Sequence, residues 1–124
     1  MARQLRWIKL SELEILPDDD FVKSVQVNKK RICLIKTEDR WFATQAKCPH
    51  AGADLSQGWC KNGKLICPFH RYEYDLQSGK GAPGQDDYID TYPLQIRQDG
   101  IYIGWKESWF KQLIKRIWRP KFSK

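Results

Sequence analysis

Apolar and polar positions along the first half of the chain alternate in short bursts, without helical spacing. Trp7–Leu10 reads as a short strand, and Ser11–Leu16 as a turn or helical turn that Pro17 stops. Phe21–Asn28 is the next strand, Lys29–Lys30 a polar hairpin turn and Arg31–Thr37 the return strand. Glu38–Asp39 is a second turn, followed by a strand over Trp41–Gln45. Residues 47–84 change character: six Gly, three Pro and both histidines of the chain fall there. That segment reads as loop with two or three short strands, and loops this polar need something to hold them, such as a metal. Strand signals return at Gln85–Ile96 and Ile101–Trp105, with Gln98-Asp99-Gly100 as the turn between them. From Ser108 to Trp118 the period becomes helical. Trp109, Phe110, Leu113, Ile114 and Ile117 share one face, Lys111, Lys115, Arg116 and Arg119 the other, and Pro120 ends the helix.

This pattern predicts an all-β fold. Residues 1–45 and 85–104 form a base sandwich, residues 46–84 a smaller inserted subdomain, and residues 105–124 a basic amphipathic helix and tail. The chain of 124 residues suffices for one such domain. Its longest stretch without Asp, Glu, Lys or Arg is six residues, which excludes a transmembrane helix. No apolar signal segment opens the chain, so a cytosolic protein is expected, and four cysteines in a reducing compartment suggest metal or buried thiol before disulfide. The net charge of +7 is uneven: residues 105–124 carry +6 and the body only +1. Nucleic-acid binding needs a basic face on the folded body, so no nucleic-acid partner is expected. The tail's Trp-rich and Lys/Arg-rich faces suit either packing on a protein or binding at a membrane surface through residues 105–119.

The chemistry lies in Cys48-Pro49-His50 and Cys67-Pro68-Phe69-His70, a C-x-H and a C-x-x-H separated by sixteen residues. Two loops built this way can present two thiolates and two imidazoles to one site. Zinc accepts two Cys and two His, but its ligand pairs are usually spaced by two or more residues. A [2Fe–2S] cluster with both Cys on one iron and both His on the other suits the short offsets. Cys33, at the centre of an apolar strand, reads as a buried small hydrophobe, and Cys60, before a Lys-Asn-Gly turn, as packing.

The two motifs, with Ala51-Gly52 after the first and Tyr74-Asp75-Leu76-Gln77-Ser78-Gly79-Lys80 after the second, resemble the Rieske iron–sulfur domain, in particular the small Rieske ferredoxin. The resemblance runs from about residue 7 to residue 104. It implies one Rieske-type [2Fe–2S] cluster, held by Cys48 and Cys67 on the buried iron and by His50 and His70 on the outer iron. Respiratory-complex members carry an extra cysteine in each loop, joined as a disulfide. The matching positions here are Ala53 and Phe69, so that bond cannot form. The residue after the second histidine is usually glycine and is Arg71 here. High-potential members place a serine donor where this chain has Tyr72 and a tyrosine donor at the position of Tyr74. Hydrogen bonds donated to sulfur stabilise the reduced cluster, so Tyr74 is expected to tune the potential upward, above the low-potential group. Reduction leaves the ligated core with a net negative charge, so electron uptake is expected to couple to proton uptake at His50 and His70 in alkaline solution. Pro49, Ala51, Pro68, Phe69 and Pro83 are expected to form an apolar collar, both a shield and a docking rim for a redox partner.

The resulting expectation is a one-electron carrier between a reductase and a terminal oxygenase or reductase. Two alternatives stand beside it: a non-catalytic small subunit of a reductase complex, such as a nitrite reductase, and a zinc-stabilised binding module. A complete Rieske oxygenase is excluded, because its mononuclear iron needs two further histidines and a carboxylate, and the chain has no histidine left. No stand-alone catalytic activity is expected.

Overall fold

The computed structural model describes residues 5–13, 16–50 and 52–106. Among them run ten strands: β1 (Leu5–Ser11), β2 (Phe21–Val27), β3 (Lys30–Thr37), β4 (Arg40–Gln45), β5 (Trp59–Lys61), β6 (Lys64–Ile66), β7 (Glu73–Asp75), β8 (Thr91–Tyr92), β9 (Leu94–Arg97) and β10 (Gly100–Lys106). A 3-10 turn, Leu55–Gln57, precedes β5. The strands form three antiparallel sheets, in the orders β1-β10-β9, β2-β3-β4-β8 and β5-β6-β7. The fold is all-β, as the alternation predicted. The third sheet supplies three short strands in the Gly/Pro-rich middle, where two or three were expected. The helix expected over 108–118, most of the tail at 105–124, and Ala51 of the collar lie outside the described residues. No helix among the described residues is long and apolar enough to cross a membrane.

Three hairpins close on two-residue turns whose residues are both left-handed. They are Asn28-Lys29 (φ 51° and 76°), Glu38-Asp39 (53° and 59°) and Asn62-Gly63 (52° and 76°). This backbone twist matches that of the flanking strands. The first turn sits one residue earlier than the expected Lys29–Lys30, because Asn28 tolerates the left-handed region and frees Lys30 to open β3. The expected continuous strand over 85–96 is also corrected. Gly84 (φ 94°) and Asp86 (φ 60°) turn the chain, and Pro93, which has no N–H to give a ladder, separates β8 from β9. The 98–100 turn is Gln98-Asp99 alone, with Gly100 already paired to Arg97. A Cβ on Gly100 would stand 2.3 Å from the Ser11 carbonyl oxygen, so only glycine lets β10 pass β1 there.

Strand β3 is the wall between two cores. Its apolar run Ile32–Ile35 is wholly buried because both faces are covered. Ile32 packs with Val27, Ala43, Tyr92, Ile103 and Trp105, and Leu34 with Leu16 and Ile101. On the opposite face Cys33 and Ile35 join Leu55, Leu65, Leu76, Ile89 and Tyr74, and the same cluster contains Cys48 and Cys67. Each fully buried aliphatic side chain contributes about 1.5–3 kcal/mol. The cysteine loops therefore rest on a core shared with the central strand of the larger sheet.

Candidate metal centre

Two loops carry the four residues singled out in the sequence. The first leaves β4 and returns to the 3-10 turn. It is closed by the Cys48 N–H donating to the Ala53 carbonyl (2.8 Å), Gly52 N–H to Cys48 carbonyl (2.8 Å) and Leu55 N–H to Ala46 carbonyl (2.8 Å). Gly52 takes φ 71°, which lets the chain reverse just past His50. Asp54 caps the 3-10 turn, accepting from the Ser56 N–H (3.0 Å) and hydroxyl (2.7 Å). The second loop joins β6 to β7 and is closed by the Cys67 N–H donating to the Tyr72 carbonyl (2.8 Å). His70 (φ 60°) and Arg71 (φ 58°) are both left-handed, a conformation that costs a residue with a side chain roughly 1–2 kcal/mol. The glycine usual after the second histidine would avoid this cost. Arg71 instead places its guanidinium 6.0 Å from the centre of the exposed Trp59 ring.

The loops bring the four residues together as two pairs. Cys48 and Cys67 are buried side by side, their side chains within hydrogen-bonding range. Burial pushes the Cys67 thiol up, the Phe69 backbone offsets part of this, and the Cys48 sulfur adds to the rise. His50 and His70 are exposed, their ring centres 5.4 Å apart and their planes at 76°. Tyr72 stacks on His50 at 3.9 Å with 10° between the planes. Beneath them lies Tyr74, fully buried, its hydroxyl 3.4 Å from Cys48 Sγ and 3.0 Å from Asp87 Oδ2. Burial above all, with Cys48 and Asp87 next, holds the Tyr74 hydroxyl well above the ordinary tyrosine value, so it keeps its proton at neutral pH.

The remaining cysteines are separate. Burial pushes the Cys33 thiol up to about 12 and the Cys60 thiol up to about 11. Both stay protonated at neutral pH, and none of the four cysteines is in a disulfide. Of the expected collar, Pro49, Phe69 and Pro83 are exposed and Pro68 is half-buried. Phe69 stands edge-on to His70 at 6.3 Å, whereas Pro83 belongs to the loop after β7.

Among the described residues no three His, Cys, Asp or Glu side chains are grouped to hold a single metal ion. The donors are two sulfurs on the inside and two imidazoles on the outside. That donor set fits a two-iron cluster with unlike ends, both sulfurs on one iron and both imidazoles on the other. The family model for the Rieske [2Fe-2S] domain matches residues 6–93. The chain belongs to the Rieske [2Fe-2S] domain family. The family's cofactor is one Rieske-type [2Fe–2S] cluster. This Rieske protein is 36% identical over 99 residues to the ferredoxin component of the naphthalene 1,2-dioxygenase/salicylate 5-hydroxylase systems of a Ralstonia species, covering 78% of this chain and 93% of that one. It is 31% identical to the naphthalene 1,2-dioxygenase ferredoxin component of Pseudomonas aeruginosa, over 79% of this chain and 94% of that one. Its fold matches the carbazole 1,9a-dioxygenase ferredoxin of Nocardioides aromaticivorans with a TM-score of 0.70 at 19% identity, over 78% of this chain and 95% of that one.

Sequence reasoning missed the stacking of Tyr72 on His50 and the approach of Asp87 to Tyr74. The first had no local signal, since Tyr72 follows His70 by two residues but stacks on His50 of the other loop. Asp87 gave none, because it lies in the stretch from Gln85 that was expected to be a strand, and it reaches Tyr74 from a loop.

Proposed function

We propose that this Rieske protein is the ferredoxin of an oxygenase system, taking one electron from a reductase and giving it to a terminal oxygenase. The observation that carries this reading is the pairing of two buried sulfurs with two exposed imidazoles in a chain that closely matches oxygenase ferredoxin components. Cys48, Cys67, His50 and His70 would hold the cluster, which supplies one-electron redox chemistry when bound. The cysteines keep the inner end in an apolar core, and the imidazoles put the outer end at the surface, where a partner can approach. Tyr72 holds the His50 ring by stacking, and Tyr74 tunes the potential through Cys48. Pro49, Pro68 and Phe69 supply apolar surface beside the histidines for a small, transient redox interface. In this reading residues 46–84 act as the cluster-binding unit of a domain spanning 1–104, and the protein works in the reducing cytosol, where its thiols stay available to iron.

A direct test mixes the dithionite-reduced protein with an oxidised Rieske oxygenase of an aromatic-ring dioxygenase system and follows both visible spectra. Reoxidation of the protein matched one-for-one by reduction of the oxygenase is expected. A reduced protein that passes no electron to any such oxygenase, yet reoxidises in air, would contradict the proposed place in the chain.

A further inference from the structure

Tyr74 has one hydroxyl proton and two acceptors. Cys48 Sγ lies 3.4 Å away and Asp87 Oδ2 lies 3.0 Å away. Both distances suit a hydrogen bond, but a carboxylate oxygen is the stronger acceptor and makes the shorter bond. The carboxylate is fixed in place. Gln85 Nε2 donates to Asp87 Oδ1 at 3.2 Å, and Gln85 Oε1 accepts the Glu73 N–H at 2.9 Å, which sets the orientation of the amide. The loop is closed on itself by the Gly81 N–H donating to the Asp87 carbonyl (3.0 Å) and pinned to β7 by the Ala82 N–H donating to the Glu73 carbonyl (3.1 Å). A Cβ on Gly81 would stand 2.6 Å from Gln85 Nε2 and 2.7 Å from Asp87 Oδ1, so the close approach depends on glycine. Asp87 is thus held with Oδ2 free to face the tyrosine.

We propose that Asp87 is a positioning residue that draws the Tyr74 proton away from Cys48 and so lowers the reduction potential of the cluster. The inference rests on the reading that Cys48 is a cluster ligand. No bond is made or broken, and the proton stays on the tyrosine oxygen. What changes is the acceptor toward which the O–H points. Donation to sulfur favours the reduced state, and donation to Asp87 withholds that stabilisation. Asp87→Asn reverses the arrangement with almost no change of shape. Gln85 keeps an oxygen at the Oδ1 position, so the new amide nitrogen takes the place of Oδ2 and donates to the tyrosine oxygen. The Tyr74 proton is then left to Cys48.

The test is a double-mutant cycle on midpoint potential, with EPR checking the cluster in each variant. Removing the Asp87 charge raises the potential by itself, so the single variant does not suffice. The diagnostic is Tyr74→Phe in two backgrounds: its downward shift should be larger when combined with Asp87→Asn than when made alone. Equal shifts in both backgrounds, with intact EPR signals, would overturn the Asp87 inference and leave the electron-carrier reading standing. Absence of a rhombic signal from the unsubstituted protein would overturn both. A measurement on the unsubstituted protein covers the case in which Asp87→Asn does not fold. The ultraviolet resonance Raman difference against Tyr74→Phe should show a tyrosine that donates strongly to a carboxylate. The signature of a weak donor or of an acceptor would overturn the inference.

Discussion

Asp75 organises the segment that follows the Cys67–His70 loop, and replacing it with alanine should cost stability in a pH-dependent way. Asp75 Oδ2 accepts from the Gln77 N–H (3.1 Å), the Ser78 N–H (2.8 Å) and the Ser78 hydroxyl (3.0 Å). The backbone of the same residue closes the turn, its carbonyl accepting from Gly79 (2.7 Å) and its N–H donating to Lys80 (2.8 Å). All three side-chain bonds are exposed to solvent, so each contributes at the low end of the range for a hydrogen bond. Truncating a comparable capping side chain costs about 0.5–2 kcal/mol. Asp75→Ala is therefore expected to lose about 1–2 kcal/mol, a drop in Tm of roughly 4–10 °C. The Ser78 backbone N–H, more than any other group, holds the Asp75 carboxyl below its ordinary value. A lowered folded-state value means that the stabilisation is complete above the unfolded value of about 4 and fades as pH falls through the folded one. The gap between the unsubstituted protein and Asp75→Asn, which keeps the shape but not the charge, should thus be widest near pH 6–7 and close toward pH 3. Urea titrations across that range measure it, as a midpoint shift at constant slope. A gap that stays constant down to pH 3, or a loss below about 0.3 kcal/mol for Asp75→Ala, would refute the role of the carboxylate.

Three further outcomes are expected. Tyr74→Phe should lower the midpoint potential in protein-film voltammetry without changing the visible spectrum, because it removes the O–H that Cys48 shares with Asp87. Gly79→Ala should destabilise the protein by at least about 1 kcal/mol in urea, since the position has φ 82° and a Cβ would lie 2.1 Å from the Ile89 carbonyl oxygen. Leu65→Ala, at a fully buried position of the core that holds both cysteines, should cost about 2–5 kcal/mol and speed iron loss to a chelator.

The candidate centre was legible because its spacing is chemistry: a C-x-H and a C-x-x-H leave few ways to arrange four donors, and the structure puts the sulfurs inside and the rings outside. The buried strand β3 was legible from the run Ile32–Ile35, and the Glu38-Asp39 turn from its position between two alternating segments. What escaped the sequence depends on contacts across loops. Residues 85–90 have apolar Tyr88 and Ile89 among polar neighbours and imitate a strand, but Gly84, Asp86 and Pro93 bend and interrupt the chain. The loop that results puts Asp87 against Tyr74 and Gln85 against Glu73. Neither alternation nor propensity encodes such pairings. Where high-potential members carry a serine, this chain has Tyr72, whose ring stacks on His50.

EPR of the purified protein reduced with dithionite decides whether a Rieske cluster sits between the Cys48–His50 and Cys67–His70 loops. A rhombic signal with a low average g is expected, lost in Cys48→Ser and in His70→Ala. A silent sample that contains zinc, or a signal that survives both substitutions, would contradict it.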